Sequence, residues 1–329
     1  MIYYAHNIMS KLKVRISRLQ KMLRRRPFAF DGRIGLSDTV ILASMARSGS
    51  TLVSNIINCD NTYRILFEPF RFDLVDAAKD FVYPFYLRPD NTDPRFFHAA
   101  QEILAGKVHS KWVDKENRAV FPKKRLIKDI RINMILKWLH NCFPEVKIVF
   151  LVRHPCAVVE SWMAVRYGKG IAALNRLCTN EMFVEDIRNS ILGEYRKAKS
   201  DFESLVFFWC VSHWVPFHQF HKDELYLIFY EDLLIDPKAE FEHLFSFLGH
   251  TYSPQKAFSA FSKPSSTVRQ DNDTFLHKSY TFDSWMAKIS PQQLDRAYEI
   301  MSLFGLEEIY SPITAKPNRE AALNLFGSI

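Results

Sequence analysis

The sequence predicts an α/β domain, a parallel β-sheet flanked by helices on both faces. Two patterns point to it. Apolar, β-branched runs near 39–45, 63–67, 125–130, 147–152 and 225–230 read as strands, and helical segments near 50–59, 132–142, 155–166, 200–220 and 237–248 lie between them. Near-continuous apolar strands joined by helices belong to sheets covered on both faces. The second pattern is positional. Arg47, Glu68, Lys128, Arg153 and Tyr230 all fall at or just after predicted strand ends, where open α/β sheets bind ligands. With 329 residues, 48% of them hydrophobic, the chain can bury a large core and is most simply one domain with insertions.

The first element is a basic arm. Residues 1–33 hold nine Lys and Arg against Asp31, a net of +8, and the remainder balances 35 basic with 35 acidic side chains. The excess charge belongs to the arm and not to the fold, which argues against a nucleic-acid-binding domain. Ile8, Leu12, Ile16, Leu19 and Leu23 recur every three or four residues, so the arm reads as a basic amphipathic helix. Two readings stay open: a solvated helix packed by one stripe, or contact with an anionic membrane surface or a partner. No run of about 18 uncharged apolar residues exists, and Lys and Arg interrupt residues 11–26 where a secretory signal needs an apolar core. Five cysteines with no metal-ligand spacing suit reduced thiols, so a cytoplasmic setting is expected.

The first strand runs into the loop Arg47-Ser48-Gly49-Ser50-Thr51 and at once into a helix. Such a turn offers free backbone N–H groups and the positive end of a helix dipole to one point. Gly49 allows close backbone approach, the hydroxyls donate, and Arg47 adds fixed charge, which makes a site for phosphate or sulfate. The nucleotide-hydrolase pattern Gly-x4-Gly-Lys-Ser/Thr does not fit, because Gly49 is the sole loop glycine and no Lys precedes Ser50 or Thr51. Where such enzymes end a strand in a Mg²⁺-holding Asp, the strand 147–152 ends in Arg153-His154-Pro155. A cation there suits a second anion.

Glu68 follows the second strand and precedes Pro69, which predicts extended geometry and a carboxylate aimed over the sheet edge as a general base. Residues 72–122, rich in Phe, Tyr, Pro and Asp, read as an insertion covering the site, and 167–199 as a second insertion. Ser265–Asp273 reads as a surface loop, 282–304 as a helical segment interrupted near Ser290-Pro291, and 311–329 as a C-terminal tail.

Three blocks carry a family resemblance. Ala46-Arg-Ser-Gly-Ser-Thr-Leu52 resembles the sulfotransferase loop for the 5′-phosphosulfate of 3′-phosphoadenosine 5′-phosphosulfate (PAPS). Ile148–Ser161 resembles the family's 3′-phosphate segment, in which an Arg at a strand end and a Ser eight residues later clamp one phosphate. Leu225–Leu233 with Asp236-Pro237 resembles the family's Tyr-Glu-Asp-Leu segment. In family order and spanning 38–305, they identify the chain as resembling PAPS-dependent sulfotransferases, with a P-loop-like fold over 34–310. The Arg-Ser-Gly-Ser form and Phe67-Glu68-Pro69 look like the carbohydrate-type branch; His154 stands where Asp is frequent.

The resemblance implies that Arg47, Ser48, Gly49, Ser50 and Thr51 hold the 5′-phosphosulfate and Arg153 and Ser161 the 3′-phosphate. It also implies that Tyr230 packs near the adenine and that Lys128, assisted by Arg131, stabilises the departing bridging oxygen. Arg269 is the candidate to close over the 3′-phosphate from the late loop. The product would be 3′-phosphoadenosine 5′-phosphate (PAP), and no metal is needed if side-chain cations and backbone donors carry the charge. Rival bases are His109, His154, His213 and His218, and rival functions a kinase-like enzyme or a non-catalytic PAPS- or PAP-binding scaffold. The acceptor is expected to be a carbohydrate or a small molecule such as a ring-bearing metabolite or lipid.

Overall fold

The computed structural model describes residues 31–165, 169–187, 189–263 and 282–327. The arm up to residue 30, the stretch Ser265–Asp273 and Arg269 lie outside the described residues. Five strands form one sheet: β1 (Thr39–Ser44), β2 (Tyr63–Phe67), β3 (Lys124–Asp129), β4 (Lys147–Val152) and β5 (Tyr226–Phe229). Their order is β2-β3-β1-β4-β5 and every pairing is parallel.

The helices are α1 (Ser50–Ile57), α2 (Pro94–Leu104), α3 (Leu136–Cys142), α4 (Pro155–Ala164), α5 (Lys169–Leu177), α6 (Glu181–Asp186) and α7 (Asn189–Tyr195). They continue with α8 (Asp201–Gln219), α9 (Tyr230–Ile235), α10 (Pro237–Leu248), α11 (Pro254–Phe261), α12 (Pro291–Leu303) and α13 (Arg319–Leu325). Local sequence explains many of their starts. Proline opens α2, α4, α10, α11 and α12, where its missing N–H costs nothing, and Asp93, His154, Asp236, Ser253 and Ser290 supply the capping acceptors.

Alternate strand residues feed two cores. Val40, Leu42, Ile65, Leu126, Val149 and Leu151 face α1, α10 and α11, while Ile41, Ala43, Leu66, Ile127, Ile148 and Phe150 face α2, α3, α4, α8 and α12. With both faces covered, every β1 position is buried, which is why the strands read as unbroken apolar runs. The axle of the larger core is α8, buried around most of its circumference from Phe202 to Phe217.

Two segments do more than expected. The 72–122 insertion is not merely a cover: Val75, Phe81, Tyr86, Leu87, Ala100 and Ile103 complete the larger core. Its irregular turns pack through single aromatic side chains, so it shows weak periodicity. Residues 311–327 fold back, with Ala315, Ala322 and Phe326 buried and Arg319 paired to Asp232 at 3.0 Å and Glu240 at 2.6 Å.

All five strands end at one edge of the sheet. After β1 the chain moves toward β2, and after β4 it moves the other way, toward β5. The crevice between these neighbouring strand ends is the switch point at which α/β sheets receive ligands. Arg47 follows β1 there and Arg153 follows β4.

Candidate active site

The loop after β1 is tightly shaped. Arg47 (φ +71°) and Gly49 (φ +95°) both adopt left-handed backbone. A Cβ on residue 49 would stand 2.4 Å from a Tyr230 ring carbon, so the aromatic ring lies flush against the glycine backbone. Arg47 donates through Nε to Ser161 Oγ at 2.8 Å, and Arg153 donates through Nη1 to the Arg47 carbonyl at 2.9 Å. The Arg153 guanidinium sits 4.5 Å from the Tyr230 ring centroid. Residues from β1, β4, α4 and α9 thus meet in one corner. Two buried polar groups there have no partner among the described residues, Ser48 Oγ and Arg153 Nε. Orphaned donors of this kind fit an anionic ligand.

Two tryptophans that sequence reasoning passed over steady the corner. Trp162 Nε1 donates to the Ala46 carbonyl at 3.1 Å, and Trp209 Nε1, from the buried α8, donates to the Arg153 carbonyl at 3.0 Å. Their contacts span 116 and 56 residues, so no local pattern marks them. For Trp162 the one available signal is its place beside Ser161.

The ends of β2 and β3 form the second half. The Glu68 N–H donates to the Lys128 carbonyl at 2.7 Å, extending the ladder. The extended backbone expected for Glu68 is not found: its φ is +46°, because the chain leaves the sheet sharply after this last ladder bond. Its carboxylate Oε2 receives Arg131 Nη1 at 2.7 Å, so the partner is Arg131 and not Arg47 or Lys128. Lys128 is only 2% exposed, and its ammonium donates to Thr51 Oγ1 at 2.8 Å and to both oxygens of Glu116, the nearer at 3.1 Å. Burial pushes the Lys128 pKa down, against which the Glu116 carboxylate works. Asp129, fully buried, accepts from the N–H groups of Phe70 and Arg131, and burial raises its carboxyl to about 6. Lys115 holds its ammonium 3.3 Å from the Phe67 ring centroid and 3.7 Å from that of Trp112, and desolvation lowers its pKa.

The four histidines have other work. His154 Nδ1 accepts the Cys156 N–H at 3.2 Å and so caps α4, and its ring stacks on Trp285 at 4.2 Å. An imidazole nitrogen thereby does the capping job of an Asp. Burial, and then Arg153, push its pKa down to about 3, so the ring is neutral. His213 is buried in α8 against Trp209. His218 bonds the Trp214 carbonyl, and His109 lies 3.0 Å from Arg64 Nη2.

Fold and site together describe a parallel α/β protein whose switch-point crevice gathers arginines and hydroxyls, with a carboxylate and a buried lysine alongside. A family model described as "Sulfotransferase family" matches residues 39–254, and the chain belongs to that family. Among solved structures, the sulfotransferase domain from the curacin biosynthetic pathway is similar at 17% identity and a TM-score of 0.49, covering 80% of this chain and 96% of that one. The sulfotransferase domain from the Synechococcus PCC 7002 olefin synthase is 19% identical with a TM-score of 0.45, covering 81% and 94%. Mouse sulfotransferase SULT7A1 complexed with PAP is 16% identical with a TM-score of 0.39, covering 83% and 87%. No curated protein matches the chain.

Proposed function

We propose that this sulfotransferase takes PAPS as donor and sulfates a hydroxyl, or an amine, of a carbohydrate or small-molecule acceptor. The observation that carries the donor reading is the meeting of Arg47, Ser161 and Arg153 at the switch point, beside the orphaned Ser48 hydroxyl. Arg47, Ser48, Gly49, Ser50 and Thr51 hold the 5′ end, Arg153 and Ser161 the 3′-phosphate, and Tyr230 offers a ring face for the adenine. PAPS supplies the sulfuryl group. Glu68 receives the acceptor proton; Arg131 fixes that carboxylate through Oε2, and Oε1 has no hydrogen-bond partner among the described residues. Lys128 places positive charge beside Thr51, where the departing oxygen gathers negative charge. Tyr83 and Trp112 approach this rim, Tyr83 under the Arg131 guanidinium and Trp112 donating to the Glu68 carbonyl at 3.4 Å, and flat aromatic surfaces suit a sugar or another ring.

Incubating the protein with radiolabelled PAPS and a panel of sugars, lipids and ring-bearing small molecules tests the proposal. Label moving into an acceptor in the wild type but not in Arg153→Ala supports it. A protein that binds PAP yet labels nothing would favour a scaffold.

A further inference from the structure

Lys128 lies nearly sealed from solvent, and a buried ammonium needs a counter-charge or it gives up its proton. That counter-charge comes from outside the three family blocks. Glu116 closes a turn in the 72–122 insertion and contacts Lys128 Nζ through both carboxylate oxygens, at 3.2 and 3.1 Å. The turn is anchored on three sides. The Val113 carbonyl accepts the Phe67 N–H at 2.8 Å, which ties the turn to the last residue of β2. The buried Asp114 carboxylate pairs with the equally buried Arg64 Nε at 2.9 Å, and Lys115 sits over Phe67. Glu116 is therefore delivered to Lys128 by a rigid mount.

We propose that Glu116 is a positioning residue, which keeps Lys128 charged and aimed at Thr51 so that the 5′ end of the donor meets a formed cation. The inference rests on the PAPS reading. The other charged groups acting on Lys128 are the Glu68 carboxylate, which favours its charge, and the Lys115 ammonium, which opposes it; the Phe67 ring stands 4.7 Å from Nζ. Of these, Glu116 alone reaches the ammonium with a hydrogen bond among the described residues.

The test is PAP affinity by calorimetry from pH 7 to pH 10 on the full chain, with a thermal melt of each variant to confirm folding. Wild-type affinity falls as Lys128 loses its proton. In Glu116→Gln that fall moves to lower pH by about one unit, a tenfold change in the protonation equilibrium. Glu116→Asp, which keeps the charge, returns most of the shift. Lys128→Arg, which holds its proton throughout, flattens the profile with or without Glu116→Gln. An unmoved midpoint in Glu116→Gln, or an equal shift in the Lys128→Arg background, overturns the inference while leaving PAP binding intact. A wild type that binds no PAP at any pH overturns the donor reading and this inference together.

Discussion

Arg47 and Glu68, both non-glycine residues at positive φ, stand at the two strand ends that matter most. Such backbone costs on the order of 1 kcal/mol or more per residue and persists where neighbours over-determine it. The neighbours here are visible: Ser161 and Arg153 on Arg47, Arg131 and the Lys128 carbonyl on Glu68. Glu68→Gln keeps shape and removes the basic carboxylate, so turnover should fall by about 10²–10⁴-fold with PAP affinity within about twofold of wild type. Single-turnover sulfation beside calorimetry checks this; unchanged turnover would move the base elsewhere. Arg47 and Ser48 stand out in the sequence because loop chemistry is local, and Arg153 and Ser161 through the family resemblance; the fold brings Arg47, Arg153 and Ser161 into contact. Glu116, Trp162 and Trp209 do not stand out, since each acts through a contact across the chain. Glu68 misled for a related reason: Pro69 restricts the preceding backbone, but the turn off the sheet chose the left-handed well.

The strands were the most legible elements. Two covered faces demand apolar residues at every position, and β1 and β4 carry that demand with hardly a break. Of the five proline-led helices, α4, α10 and α12 fall in stretches read as helical, while α2 and α11 do not. What stayed hidden was the insertion, whose role in the core comes from isolated aromatics and whose active-site turn hangs on the buried Arg64–Asp114 pair. Arg64 also bonds Asp31 and the carbonyls of Gly106 and Val108, so one guanidinium gathers three stretches of chain under β2. Asp114→Ala leaves that buried charge short of a partner and frees the turn. It should cost about 3 kcal/mol in chemical denaturation and also weaken PAP binding. Stability within about 0.5 kcal/mol of wild type would show that the turn has other anchors.

Buried titratable groups tie the fold to pH in opposing senses. His154, lowered to about 3, and His213, lowered to about 4, stay neutral when folded but take protons when unfolded, so their contribution is lost as pH falls below about 6.5. Asp129, raised to about 6, and Glu231, raised to about 7, act the other way: folding favours their protonated forms, and stability is lost as pH rises through those values. His154→Asn retains a capping oxygen and removes one titration. Denaturation at pH 7 and at pH 5 should show the variant losing about 2 kcal/mol less than wild type over that interval, and equal losses would mean that His154 is already charged when folded. Across the molecule, the central claim is that Arg47 and Arg153, placed by separate strands, grip the two ends of one adenine nucleotide. Calorimetry with PAP tests it most directly. The wild type should bind, and Arg47→Ala and Arg153→Ala should each weaken binding by about tenfold or more, the loss of a charge-assisted hydrogen bond. No heat of binding in the wild type, or variants that bind as tightly as it does, would contradict the claim.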